Sequence, residues 1–225
     1  MRRYTNWSLI VFVGLVVIAA FTSGQWIPAV QPGPESEAQV ESFACPDYLE
    51  DGQCRALRDL SADNLELAEE LRDLLDPDND LEVLNEPEIT ALARDVNPAT
   101  SDEPIITEVK KGSFSDLNVL LEAEGIVTVY EIVHSDVTAR FLRFEEEFQM
   151  ISGPDYEIFL SSAQNPRNRE QLFESQNVEV AFLKGNVGPQ NYELSTDIDL
   201  AVYRSVVIYS EELDLIVAIA SIVTS

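Results

Sequence analysis

At 225 residues and 45% hydrophobic content, the chain is long enough for one sizeable domain with accessories and too apolar for wholesale disorder. Against 14 basic residues stand 41 acidic ones, a formal charge of -27 that repels nucleic acid and anionic lipid headgroups; an acid-rich surface whose lysines are Lys110, Lys111 and Lys184 suits a salty or acidic habitat, or a cationic partner. One histidine and two cysteines exclude most His-based catalysis, most metal-ligand sets and a disulfide scaffold.

In chain order, Arg2 and Arg3 precede an uncharged run from Trp7 to Ile27. About 20 residues at a helical rise of ~1.5 Å match the ~30 Å hydrocarbon layer. Trp7 and Trp26 fall at the two ends, and the paired arginines favour the cytoplasmic side. Residues 1–27 therefore read as a single-pass membrane anchor that places the rest of the chain outside the cytoplasm. A cleaved signal peptide, cut near Thr22 to Gly24, is the competing reading and implies the same compartment. The C-terminal run Leu213 to Val223 contains Asp214, is too short to span, and reads as a buried strand.

Residues 28–60 read as a linker carrying a local loop. Pro28 to Ser42 has few large apolar groups. In Cys45-Pro-Asp-Tyr-Leu-Glu-Asp-Gly-Gln-Cys54, the Asp51-Gly52 turn brings the thiols together for a disulfide in an oxidising compartment; the spacing is not that of a redox C-x-x-C pair. Residues 61–104 read as a short helical hairpin. Its first helix runs from about Ala62 to Leu75 on an apolar stripe that includes Leu67, Ala68 and Leu71, capped by Ser61 or Asp63. The second opens at Asn85-Glu86-Pro87-Glu88 and stops at Asn97-Pro98. Between them, Asp76, Asp78 and Asp80 resemble the start of a calcium loop. Leu81 then stands where the loop needs glycine and Pro87 where it needs glutamate, so a solvated acidic turn is expected.

From Ile105 the texture changes to short β-branched and aromatic runs separated by turn signals. Strands are expected at Ile105 to Val109, Ile126 to Val133, Thr138 to Phe144, Tyr156 to Leu160, Val178 to Leu183, Val202 to Tyr209 and Leu213 to Ala220. The fold class is all-β, an antiparallel β-sandwich over residues 105–225 behind the helical hairpin and the transmembrane helix. Val206 to Tyr209, continuously apolar, should be buried on both sides. His134-Ser135-Asp136 reads as a hairpin turn, and Glu145-Glu146-Glu147 as a solvated edge or turn.

Several segments in this half occur in an order that resembles the DM-thirteen family, over about Lys111 to Ile222. They are Gly112-Ser113-Phe114, Gly125 to Tyr130, Phe141-Leu142-Arg143-Phe144 with Phe148, and Gly153 to Ser161. The most distinctive are Lys184-Gly-Asn-Val-Gly-Pro-Gln-Asn-Tyr-Glu-Leu194 and Tyr203 to Tyr209. The resemblance implies an extracytoplasmic β-sandwich of the kind found beside membrane anchors and cytochrome modules, with a redox role resting on context and on a cysteine. Ser210 stands at that cysteine's position, after Tyr209, and a serine cannot cycle between thiol and disulfide.

No nucleophile and base, metal cage or phosphate loop assembles from these residues, so no catalytic residue and no metal ligand is assigned. The expected function is that of a binding or accessory module of the cell envelope, with a protein or glycan partner and no nucleic acid. Lys184, Asn186, Gln190, Asn191 and Tyr192 are expected to form a polar and aromatic recognition surface at one end of the sandwich. The alternative is a redox accessory protein working with a membrane cytochrome. No cofactor is predicted; haem, with His134 as its axial ligand, and weakly bound calcium are the alternatives.

Overall fold

The segment Ser205–Ser210 is buried at all six positions, because it lies centrally in a sheet covered on both faces. This is the double burial that its apolar run predicts. In the computed structural model, which describes residues 43–79 and 81–225, the strands are β1 (Ile105–Ser115), β2 (Ala123–Glu124), β3 (Ile126–His134), β4 (Val137–Phe144), β5 (Gln149–Met150), β6 (Tyr156–Ser161), β7 (Asn177–Phe182), β8 (Gln190–Leu194), β9 (Ser205–Ser210) and β10 (Leu215–Thr224). The helices are α1 (Asp51–Asp63), α2 (Leu65–Leu74), α3 (Ile89–Asp95) and α4 (Arg169–Glu174). All these elements belong to one compact unit, Ser42–Ser225.

Eight strands form one antiparallel sheet in the order β7-β6-β9-β10-β1-β3-β4-β8. A sandwich of two separate sheets is thereby corrected. β10 pairs with β9 along one edge and with β1 along the other, so the ladder passes without a break from one wall to the next, and the sheet curls until β7 approaches β8. Bulges at Val109 in β1 and Val217 in β10 supply local bending. The edges β7 and β8 share no ladder, so closure is incomplete. The inner face holds one apolar cluster that includes Val129, Leu142, Ile158 and Val206. A smaller cluster, with Phe159, Val207 and Tyr209, lies on the outer face with Leu172 of α4.

Leu57 of α1 and Ala68 and Leu71 of α2 belong to the same cluster as the inner face of the sheet, so the helices share its core. α1 was not expected. Asp51-Gly52 opens this helix instead of forming a turn, and Gln53 Oε1 accepts from the Glu50 N–H at 3.1 Å. Ser61 and Asp63 fall within α1, and Asn64 caps α2 through its side chain, which accepts from Leu67 N. Cys45 and Cys54 are disulfide-bonded, with Cα atoms 5.7 Å apart, which ties the entering chain to the first turn of α1. Reduction should cost roughly 2 to 3 kcal/mol in the chain-entropy account. Thermal unfolding with and without reductant measures it, and an unchanged midpoint would contradict that account.

The Ser135-Asp136 turn joins β3 to β4, with Ser135 at φ 58, as the hairpin reading requires. The acidic turn after α2 is a local structure. Asp76 Oδ1 accepts from Asp78 N, and Asn79 Nδ2 donates to the carbonyls of Asp73 and Leu74 at the end of α2. Among the described residues, no helix is long and apolar enough to cross a membrane. The expected anchor, Trp7 to Ile27, lies outside the described residues.

Candidate functional site

The stretch Lys184 to Tyr192 was expected to be a loop surface, yet it turns from the β7–β8 connection into a strand at Gln190 and pairs with β4. Asn186, Gln190, Asn191 and Tyr192 are consequently buried, and of the five expected surface residues only Lys184 keeps substantial exposure. The five do come together, but as a clasp around a segment of the chain, Glu82 to Pro87, that sequence reasoning assigned partly to a helix. That helix begins only at Ile89, which leaves Glu86 and Pro87 free to act as a strap.

The strap runs along the β7–β8 connection. Leu84 N donates to Val187 O at 2.8 Å and Glu86 N to Pro189 O at 3.1 Å, while Asn186 N donates to Glu82 O. Asn186 adds its side chain: Glu82 N donates to Oδ1 at 2.7 Å, and Nδ2 donates to Met150 O at 3.1 Å. Val187 bridges to Val83 on one side and Gln149 on the other, so the small β2–β5 sheet continues through Val187 to the strap. Gly188, at φ +91, is required here, because a Cβ would lie 2.2 Å from Leu84 O.

Glu86 is the anchor of the strap. Its Oε1 receives the Lys184 ammonium at 2.8 Å, and its Oε2 receives the Asn191 N–H at 2.7 Å. Lys184 Nζ also donates to Asn191 O and lies 4.8 Å from the centre of the Tyr192 ring. The phenol of Tyr192 donates to Gln190 Oε1 and accepts from Lys184 N at 3.0 Å; burial pushes its pKa up. Burial also pushes the Glu86 carboxyl up, but the Lys184 and Asn191 donors outweigh it and hold the group below its ordinary value.

A carboxylate with a lowered folded-state pKa stabilises fully above its unfolded value, about 4.3, and that contribution is lost as pH falls through the lowered value. Protection of the Leu84 and Glu86 amides against hydrogen exchange should therefore fall in acid and rise again above about pH 5. Glu86→Gln should lack this pH dependence. Equal acid profiles for the two proteins would sink the assignment.

Beneath the clasp lies Arg143, 2% exposed on β4. Its guanidinium donates to Glu145 Oε2 at 2.8 Å, Glu146 Oε1 at 3.0 Å, and Pro87 O and Asn191 Oδ1 at 2.9 Å each. Glu145 Oε1 also accepts from the Tyr130 hydroxyl, whose pKa is pushed to about 12, first by burial and then by the Glu145 charge. The glutamate run is indeed a turn, but Glu145 is ordered by this buried arginine. Sequence reasoning missed Arg143 and Glu86. The signal for Arg143 was a lone cation between Leu142 and Phe144, followed at once by three carboxylates.

Ser210 shares no hydrogen bond with the clasp. It is buried at the end of β9 opposite Tyr156 of β6; its hydroxyl donates to Pro154 O at 3.2 Å and accepts from Leu213 N at 3.2 Å. Those bonds tie the 153–155 turn to the β9–β10 connection. Gly153 packs over Tyr156, where a Cβ would lie 2.0 Å from the phenol oxygen.

His134 does not fit an axial haem ligand. The ring is buried, Nε2 is held by Asp102 O at 2.8 Å, and Nδ1 is enclosed without a partner among the described residues.

Fold and site together define a mostly-β protein whose eight-stranded antiparallel sheet is nearly closed, with a strap clasped over the junction of its two edges. The model of the family described as Electron transfer DM13 matches residues 116–221, which supports the DM13 family for this part of the chain. The match includes Arg143 and the whole stretch from Lys184 to Tyr192, whereas the strap and β1 lie before it. No curated protein and no solved structure matches the chain.

Proposed function

We propose that the protein is an extracytoplasmic accessory domain of a membrane redox system, tethered by residues 1–27, and that it assists electron transfer without carrying electrons on a thiol. The DM13 match over residues 116–221 carries this reading. Two features agree with it. The Cys45–Cys54 disulfide suits an oxidising compartment. Ser210 removes the thiol at the position where the family pattern has cysteine, and both cysteines of the chain are already paired. The partner is then a redox protein of the same envelope, and the carrier group belongs to that partner.

The test uses the full-length chain isolated from its native membranes. Expected is co-isolation with a chromophoric membrane protein, no visible absorbance band in the chain once separated, and slower reduction of that partner in cells lacking the chain. A haem or flavin band that stays with the separated chain would overturn the accessory role. Unchanged reduction kinetics in its absence would overturn the redox role altogether. Labelling of Lys184 in intact cells by a membrane-impermeant amine reagent tests the compartment independently.

A further inference from the structure

A cavity of about 710 Å³ opens where the end of α2 and the following turn face the β2–β5 sheet. Its volume falls in the range of small-molecule sites, roughly 300 to 1,000 Å³. The floor is apolar: Phe114 and Met150 are buried beneath it, and Leu75 and Leu81 flank it, with Leu81 56% exposed. The rim is anionic. Asp76, Asp116, Glu122 and Glu124 all line the opening, and among the described residues no lysine, arginine or histidine does.

Two of these acids are already engaged, since Asp76 accepts from Asp78 N and Asp116 from Ala123 N. Glu122 and Glu124 are exposed and form no salt bridge among the described residues. The carbonyl end of α2 adds the negative pole of its helix dipole at the same border. Such a field concentrates cations and excludes anions. A bare metal ion is the poorer occupant, because no group of three or more His, Cys, Asp or Glu side chains among the described residues is placed to hold one. The carboxylates surround the opening without converging, and the floor favours a ligand with carbon surface to bury.

We propose that this cavity binds a small organic ammonium ion with an apolar body, the hydrocarbon seated over Phe114 and Met150 and the charged head among the rim carboxylates. The site stands whether or not the redox reading does, since it rests on a different part of the molecule from the clasp.

Met1 and Met150 are the methionines of the chain, so methyl-labelled methionine gives an almost solitary NMR reporter in the cavity floor. Titrating the full-length protein with 1-naphthylmethylammonium should shift the Met150 methyl saturably, with a dissociation constant of about 1 mM or tighter. The anion 1-naphthaleneacetate should bind about tenfold more weakly or not at all, and tetramethylammonium, which has no apolar body, should leave Met150 unmoved. Glu122→Gln combined with Glu124→Gln, at exposed positions, should weaken the ammonium several-fold and narrow its advantage over the anion. An unshifted Met150 methyl, equal affinity for ammonium and carboxylate, or an unaffected double variant would each overturn the proposal.

Discussion

Replacing Arg143 with methionine should lower the unfolding free energy by about 3 to 5 kcal/mol, the usual consequence of removing one member of a buried ionic network. Methionine fills much of the volume but leaves Glu145, Pro87 O and Asn191 Oδ1 without the donors that face them. Arg143 is 2% exposed and the Glu145 side chain 19%, so water replaces those donors only in part. Arg143→Lys should fall between the two, keeping the charge while losing the fork that reaches several acceptors at once. Urea denaturation provides the measurement: the midpoint should drop while the slope stays constant. A loss under about 1 kcal/mol would show that the network is dispensable, and with it the claim that β4 and the strap are coupled through this side chain.

Gly188→Ala is the second large effect. At φ +91 an alanine is strained, and its Cβ would meet the Leu84 carbonyl oxygen, a backbone atom that moves only if the strap moves. The Leu84 N to Val187 O bond is the first casualty, and the Glu86 N to Pro189 O bond is next along the strap. Strain and lost hydrogen bonds together should cost roughly 2 to 4 kcal/mol. Hydrogen exchange at Leu84 and Glu86 should accelerate more than exchange in β9 and β10, because the strap lifts away while the sheet persists. Gly52→Ala is the control: Gly52 lies in α1 with nothing near its missing Cβ, so alanine there should be neutral or stabilise by up to about 1 kcal/mol. Similar losses at both positions would contradict the close approach at Gly188.

Several elements were legible because one local signal decided them. The continuous apolar run Val206 to Tyr209 could only be buried on both faces. Strands β3, β4, β6 and β7 appear within a residue or two of their β-branched runs. The Ser135-Asp136 turn and the Cys45–Cys54 pairing follow from short-range chemistry. α1 was missed because Asp51-Gly52 carries a turn signal, and the Gln53 side chain that satisfies the Glu50 N–H at the start of the helix is a weaker cue than glycine. β8 was missed for a related reason: Gln190, Asn191 and Tyr192 are polar, and polar side chains suggest a loop until their partners are known.

The clasp shows the same limit more sharply. The resemblance drew the eye to Lys184 through Tyr192, but not to their partner Glu86, about one hundred positions earlier in the chain. Polarity alone made those residues look like a surface. In the folded protein Lys184, Asn186 and Asn191 find partners in the strap, Gln190 and Tyr192 find theirs in the Lys184–Gly185 backbone and in each other, and a satisfied polar group is as much at home inside as an apolar one.

The sequence by itself determined the mostly-β character, the disulfide, the family resemblance and the loss of a thiol at Ser210, because each is a property of nearby residues or of residue identity. Only the tertiary structure decided that eight of the strands make one nearly closed sheet, that the polar stretch is buried, and that Arg143 and Glu86 lock the strap in place. Those outcomes depend on which distant groups meet, and hydrogen bonds between residues far apart in the chain leave no periodicity to read.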